Sequence, residues 1–196
     1  MFNEEWAQET LSTTPKRVCN IAYDVVAKEG GFSDNPHDAG GITNYGISIV
    51  TARSYGTQFD YDGDGIVTAS DMKLITPSIA AAFYVQEYFY KPHINLLPEC
   101  LYPVTLDMSV NMGSNAARIV QHAAIILGGK ITPDGIIGPS TAACCQKLIQ
   151  ADNGKSLINL ICSLREIFYR QLVASNPSDR VFLTGWLNRA ASFSAA

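Results

Sequence analysis

Residues 29–47 read EGGFSDNPHDAGGITNYGI and follow a predicted amphipathic helix. Apolar residues recur at helical spacing from Pro15 to Val26. Gly30 ends this helix, because glycine accepts the left-handed conformation that a helix end commonly needs. Glu29 is therefore expected in the last helical turn, where the helix macrodipole opposes a negative charge. A carboxyl group that resists ionisation suits general acid catalysis at neutral pH.

Asp38 and Thr43 follow Glu29 in a segment rich in Gly, Asn, Asp and Pro. These residue types favour tight turns, each for its own conformational reason. The segment is therefore expected to fold back and face the helix end that carries Glu29. The sequence predicts that the three side chains lie near one another.

The stretch resembles the signature of glycoside hydrolase family 108, in which Glu-Gly-Gly-aromatic precedes Asp-Pro-Gly-Gly-x-Thr-Asn-aromatic-Gly-Ile. This chain has Asp34-Asn35-Pro36 where Asn-Asp-Pro is frequent, and Ala39 where proline is usual. Neither departure touches Glu29. The resemblance implies an N-acetylmuramidase with a lysozyme-like fold, mainly α-helical, with a small β-hairpin near the active site.

The resemblance also implies catalytic roles, and the Glu…Asp…Thr spacing is similar to that of phage lysozymes. Glycoside hydrolysis needs an acid for the leaving oxygen and a second group for the sugar cation or the attacking water. Glu29 is the predicted acid and Asp38 its partner, while Thr43 is predicted to position the water. Asp38 could instead tie the loop backbone in an Asx-turn, with Asp34 as a rival carboxylate. Thr43 could be a plain hairpin hydroxyl.

Four further residues are predicted to contact substrate. Asn44 and Tyr45 follow Thr43 and are predicted to line a sugar subsite, although such an aromatic is as often a core residue. Asp107 and Asn111 lie one helical turn apart and share a helix face. This polar pair either points into a cleft or is buried and satisfied by backbone groups.

Residues 60–71 read DYDGDGIVTASD, which matches the EF-hand calcium loop. Carboxylates fall at positions 1, 3, 5 and 12, with glycine at position 6 for the sharp turn. The usual residue at position 12 is Glu, so the shorter Asp71 predicts tighter geometry or lower affinity. The alternative is an acidic, solvated turn. The predicted calcium ligands are Asp60, Asp62, Asp64, Ile66, Thr68 and Asp71.

The C-terminal half resembles the predicted peptidoglycan-binding region that accompanies family 108 catalytic segments. The resemblance is carried by Ala117-Arg118, Gln121 and the stretch DGIIGPST at residues 134–141. We therefore expect three parts in the chain. They are an N-terminal leader (1–14), a catalytic lobe with an inserted calcium loop (15–103), and a helical peptidoglycan-binding lobe packed against it (104–196).

Composition excludes several other classes of protein. Hydrophobic residues make up 47% of the 196 residues and charged residues 16%, which indicates a globular chain with a core. The net charge of −4 argues against a nucleic-acid partner, which would require a basic surface. Five cysteines without metal-ligand spacing predict reduced thiols. No apolar run reaches the roughly 18 residues of a membrane span.

The leading hypothesis is a monomeric muramidase that cleaves the β-1,4 bond between N-acetylmuramic acid and N-acetylglucosamine. It would serve phage lysis or bacterial wall remodelling. The polar N-terminus predicts no secretory signal, so we expect synthesis in the cytoplasm and release through a holin, a secretion system or lysis. The alternative is a non-catalytic, calcium-stabilised peptidoglycan-binding module, but such a module has no need of Glu29.

Overall fold

The computed structural model describes residues 1–34 and 41–194 and is mainly α-helical, as predicted. The helices of these residues are α1 (Glu4–Thr13), α2 (Lys16–Glu29), α3 (Ile49–Ser54), α4 (Ala69–Leu74), α5 (Pro77–Val85), α6 (Tyr102–Met112), α7 (Asn115–Ile126), α8 (Pro139–Leu148), α9 (Lys155–Ser175) and α10 (Arg180–Ala191). Strands β1 (Thr43–Asn44) and β2 (Ile47–Ser48) pair antiparallel, with Thr43 opposite Ser48. Short 3-10 segments lie at Gly56–Phe59, Ile94–Leu96, Glu99–Leu101 and Pro177–Asp179, and a π-helical turn at Gln86–Tyr90.

The chain forms two compact units, Met1–Glu87 and Tyr88–Ala196. These units are defined by packing alone. The division into functional lobes at residues 15–103 and 104–196 therefore stays a prediction.

Helix α5 is the central element of the first unit. Thr76 caps its N-terminus by accepting a hydrogen bond from the Ile79 N–H, and Pro77 occupies the first turn, where its missing N–H costs nothing. Helices α1 and α2 pack against α5, and every residue of Ile79–Val85 is buried. A run that is apolar all round is expected of a helix surrounded by other elements.

The N-terminal segment belongs to the core of this first unit. The Phe2 ring lies 5.0 Å from the Phe59 ring and 5.9 Å from the Phe83 ring, measured between centroids. The Phe2 carbonyl also accepts a hydrogen bond of 2.8 Å from the Tyr61 hydroxyl. Edge-to-face ring pairs of this kind add about 0.5–1.5 kcal/mol each beyond the area they bury. Residues 1–14 therefore help to hold α5 in place.

The second unit is built on α6, α7 and α9, with α10 packed on α9. Trp186 of α10 stacks on Tyr169 of α9 with ring centroids 5.1 Å apart. Helix α9 is 21 residues long and buries Leu157 and Ile161 on one face. This spacing of four residues places both side chains on the stripe that faces the neighbouring helices.

Candidate active site

Glu29 is the last residue of α2, and its side chain is exposed. Gly30 follows with φ of 76° and ψ of −178°, a positive-φ backbone that favours glycine but differs in ψ from the left-handed helical conformation predicted for the helix end. The buried face of the helix, which includes Val18, Ala22 and Val25, anchors it against α5. The Glu29 carboxyl group therefore reaches solvent from a firmly packed helix end.

The hairpin β1–β2 turns at Tyr45 and Gly46, which have φ of 49° and 78°. Two-residue hairpin loops favour positive φ at both central residues, because this twist matches that of the strands. Glycine adopts such a conformation without strain, whereas Tyr45 requires support from its surroundings. The Tyr84 hydroxyl supplies it by donating a 3.3 Å hydrogen bond to the Tyr45 carbonyl.

The hairpin turn lies directly against the predicted acid. A Cβ atom added to Gly46 would lie 2.8 Å from Glu29 Cγ and would also meet the Tyr84 hydroxyl. Real Cβ atoms essentially never approach a heavy atom this closely. Only glycine at this position allows the turn to contact the Glu29 stem, so the hairpin restricts where that side chain can lie.

Thr43 is joined to the segment that follows Glu29. The Ser33 N–H donates to the Thr43 carbonyl at 2.8 Å, and the Thr43 N–H donates to the Ser33 carbonyl at 2.9 Å. This pair brings Thr43 back to a point four residues beyond Glu29. The predicted partner Asp38 lies in residues 35–40, outside the described residues. Asp34, the rival carboxylate, is exposed.

Asn44 was predicted to line a sugar subsite, but in the structure its side chain is buried. Its side chain is 3% exposed, and its Nδ2 donates to the Met72 carbonyl at 2.7 Å and to the Ile75 carbonyl at 3.1 Å. Carbonyl groups at the end of a helix have no intrahelical donor, so this amide satisfies the C-terminus of α4. Asn44 is a structural link, while the predicted sugar contact of the half-buried Tyr45 stays a prediction.

A second contact joins the same segment to α4. The Lys73 ammonium group lies 5.1 Å from the centroid of the Phe32 ring, within cation–π distance. Phe32 is three residues beyond Glu29. Helix α4 therefore supports the segment that follows the acid as well as the hairpin.

Asp107 differs from the prediction of a polar pair that points into a cleft. Asp107 is buried and forms ion pairs of 2.5 Å with Arg165 and 2.7 Å with Arg189. The Asn111 Nδ2 turns back and donates to the Asp107 carbonyl at 2.6 Å. A buried carboxylate needs such partners because its desolvation is costly. Only the burial of Asp107 fits the alternative, and its partners are arginine side chains instead of backbone groups. Asn111 is exposed, so its predicted substrate contact stays a prediction.

Arg165 was not identified from the sequence, although a signal was present. It lies four residues after Ile161 and eight after Leu157, on the buried face of α9, and it is 0% exposed. A cation on an apolar helical face is almost never buried without a partner. Its position therefore called for a carboxylate elsewhere, and Asp107 is that carboxylate.

The loop at 60–71 is held together by its own N–H groups. The Asp60 carboxylate accepts hydrogen bonds of 2.8 Å from the N–H groups of Gly63 and Gly65. Asp71, which is 0% exposed, accepts from the N–H groups of Tyr61 at 2.7 Å and Thr68 at 2.8 Å. Asp71 and Thr68 together form a capping box at the start of α4.

The carboxylates of this loop converge. Ligand oxygens of Asp60, Asp62 and Asp71 lie within 4.8 Å of one another. Calcium–oxygen distances of about 2.3–2.6 Å place opposite ligands about 5 Å apart, so the three groups fit one ion. Burial raises the pKa of Asp71, but hydrogen bonds from Thr68 and Tyr61 outweigh it and hold that pKa below its usual value. Asp71 is thus ionised, as a calcium ligand must be.

None of the helices in residues 1–34 and 41–194 combines the length and the apolar character needed to cross a membrane.

Comparison with known proteins divides the chain into two matched segments. Residues 22–113 match the family model described as Glycosyl hydrolase 108, and residues 115–191 match the model described as Predicted Peptidoglycan domain. The solved structure of Brucella abortus SagA is similar, with a TM-score of 0.59 and 24% sequence identity over 92% of this chain and 97% of that one. At this identity the likeness shows a shared fold. No curated protein matches the chain.

Proposed function

The chain is a peptidoglycan hydrolase with a glycosyl hydrolase 108 segment, and we propose that it is an N-acetylmuramidase. The bond that it cleaves would be the β-1,4 linkage between N-acetylmuramic acid and N-acetylglucosamine. The observation that carries the proposal is the exposed Glu29 carboxyl group, presented by an anchored helix end and backed by the Gly46 turn. A general acid must be accessible to the polymer and also held in position.

Glu29 would protonate the glycosidic oxygen as the bond to the leaving sugar breaks. Thr43 would hold the attacking water through its hydroxyl group, and Asp38 would stabilise the positive charge that develops on the sugar. The Ser33–Thr43 backbone pair supports this assignment for Thr43, because it returns β1 to the segment that follows the acid. The roles of Glu29, Asp38 and Thr43 together form the proposal.

The test replaces Glu29 by glutamine in the full chain. An amide cannot donate the proton, and general acid catalysis contributes roughly 10²–10⁴-fold, so Glu29→Gln is expected to lower the release of reducing ends at least 100-fold with an unchanged melting temperature. Asp24→Asn is the matched control, since Asp24 is an exposed carboxylate of the same helix. Near-normal activity of Glu29→Gln would refute the assignment.

The bond itself is tested by mass analysis of digested peptidoglycan. Products with N-acetylmuramic acid at the reducing end are expected. N-acetylglucosamine at the reducing end would contradict the proposed bond, and release of free peptides alone would contradict glycosidic cleavage.

The second candidate is a non-catalytic module that binds peptidoglycan. The match of residues 115–191 to a peptidoglycan domain favours binding whether or not cleavage occurs. Sedimentation of the chain with intact cell walls, without any release of reducing ends, would select this candidate. We expect a monomer that acts at the cell wall, and light scattering of the purified chain tests the monomer.

We also propose that residues 60–71 hold a structural Ca²⁺. The carboxylates of Asp60, Asp62 and Asp71 would bind it, with Asp64, the Ile66 carbonyl and Thr68 completing the predicted set. The support is the convergence of three carboxylates within 4.8 Å. The ion would supply positive charge that removes their mutual repulsion, and none of the proposed steps at the sugar requires it.

A further inference from the structure

A groove lies between α7 and α9 in the second unit, and its described lining residues belong to these two helices. Its cavity volume is about 270 Å³, and Ile167 and Phe168 contribute to an apolar floor. Arg118, His122, Asn115 and Gln171 add cationic and amide groups. An apolar surface with a few convergent polar groups is the usual composition of a ligand site.

The loop beside this groove is fixed by a buried glutamine. Gln121 is 1% exposed, and its Nε2 donates to Asp134 Oδ1 at 2.8 Å and to the Ile136 carbonyl at 3.0 Å. Its Oε1 accepts from the Gly135 N–H at 2.8 Å. A fully satisfied buried amide of this kind rigidifies the segment around it. Gln121 and Asp134, which carry part of the resemblance of the C-terminal half to a peptidoglycan-binding region, therefore hold this loop in place.

The fixed loop in turn positions Arg118. Its Nη1 donates to the Pro133 carbonyl at 3.1 Å, and a Cβ atom at Gly135 would lie 3.1 Å from its Nε. Among the described residues this is its one hydrogen bond, and Arg118 makes no ion pair there. Hydrogen bonds from Gln121 and the Ile136 N–H are the main causes that lower the pKa of Asp134, and the Arg118 charge lowers it further without a direct ion pair. A guanidinium group has five N–H donors, so Arg118 retains donors for a ligand.

We propose that this groove binds a peptide stem of peptidoglycan, with Arg118 holding a stem carboxylate and the apolar floor contacting alanine methyl groups. The inference rests on the proposed function, because it takes peptidoglycan as the substrate. Stem peptides combine small apolar side chains with free carboxylates, which matches a groove with an apolar floor and a preorganised cation. Neutral N-acetyl sugars would give the guanidinium no counter-charge. The cavity is slightly smaller than the roughly 300–1,000 Å³ of drug-sized sites, so it suits one or two stem residues.

A second cavity of the same unit, which is also lined by cationic side chains, provides a control for the role of Arg118. It has a volume of about 350 Å³ and is lined by Lys130, Lys147 and Ser140, among others. Lysine presents a compact charge on a flexible stem, whereas arginine offers a planar fork that matches a carboxylate. Lys147→Ala is therefore a matched control that removes one positive charge from a neighbouring cavity.

The experiment measures binding in the full chain carrying Glu29→Gln, so that cleavage does not interfere. The probe is N-acetylmuramoyl-L-alanyl-D-isoglutamine, titrated by NMR, beside the same molecule with its carboxylate amidated. Charge-assisted hydrogen bonds are about twice as strong as neutral ones. We expect the dissociation constant to rise at least tenfold on amidation and also in Arg118→Ala, but less than twofold in Lys147→Ala.

A further variant separates ligand binding from loop stability, because Arg118 also holds the Pro133 carbonyl. Ile167 lines the groove and is 49% exposed, and its side chain has no polar atom that could hydrogen-bond to that loop. Ile167→Asp places a negative charge on the floor and is expected to weaken the free-carboxylate probe at least tenfold. Equal binding of the free and amidated probes, or tighter binding of N-acetylchitotetraose, would overturn the proposal. Release of reducing ends by the wild-type chain tests the muramidase proposal independently.

Discussion

The backbone of Gly46 lies against the side chain of Glu29, so closely that a Cβ atom at position 46 would be 2.8 Å from Glu29 Cγ. The two residues come from different elements, the end of α2 and the turn of the hairpin. Through this contact the hairpin limits the positions that the Glu29 side chain can occupy. The geometry of the acid thus depends on a residue that takes no part in proton transfer.

Gly46→Ala is expected to lower activity about tenfold or more. The alanine methyl group would displace the Glu29 stem, and misplacing a reacting group by about 1 Å can cost roughly 100-fold. The left-handed backbone adds about 1–2 kcal/mol of strain for a residue other than glycine. Release of reducing ends and the melting temperature are measured together.

Gly56→Ala is the control for that strain. Gly56 has φ of 59°, and an added Cβ atom would meet nothing within 4 Å. It should lose stability but keep most of its activity. Equal losses of activity in the two variants would show that the Gly46 contact does not position Glu29.

Calcium is expected to raise the melting temperature of the chain. A ligand that binds only the folded state stabilises it by about 2.7 kcal/mol at a hundred times its dissociation constant. Thermal unfolding is compared in calcium and in a chelator, for the parent and for Asp60→Ala/Asp62→Ala. The double variant should show no response. If the melting temperature of the parent chain is the same in calcium and in the chelator, the calcium proposal is wrong.

Asn44→Ala is expected to lower the free energy of unfolding by roughly 1–3 kcal/mol, the cost of leaving buried partners unsatisfied. It removes the Nδ2 donor of the Met72 and Ile75 carbonyls at the end of α4. Activity should fall as well, because the hairpin loses its link to that helix. Urea unfolding measures the change. Asn20→Ala on the exposed face of α2 is the control and should change stability by less than about 0.5 kcal/mol.

Asp107→Asn is expected to destabilise the second unit by roughly 3–5 kcal/mol, because it leaves the Arg165 charge buried without a counter-ion. Arg165 is 0% exposed, and its Nη1 has no hydrogen-bond partner in the described chain. Arg189→Met removes the partner that is 35% exposed and should cost about 1 kcal/mol or less. Urea unfolding followed by tryptophan fluorescence compares the two variants. A smaller loss in Asp107→Asn than in Arg189→Met would contradict the structural role.

The sequence alone determined the features that depend on neighbouring residues. The end of α2 at Glu29 follows from Gly30, whose conformation is a property of glycine itself. The convergence of Asp60 and Asp71 follows from the spacing of one loop, because its N–H groups hold the same carboxylates that the pattern places there. The mainly helical fold was implied by the family resemblance, and apolar periodicity predicted the helix that ends at Glu29.

Tertiary structure decided the features that join distant parts of the chain. Asn44 stands beside Thr43 in the signature, yet its amide is taken by α4, 28 residues further on. Asp107 and Arg165 are separated by 58 residues, and only the packing of α6 and α9 shows that each is the other's counter-charge. A polar residue on an apolar face has the same local pattern whether it binds a ligand or a buried partner. The difference lies in what the fold places opposite it, because the desolvation of a buried charge is repaid only by a specific neighbour.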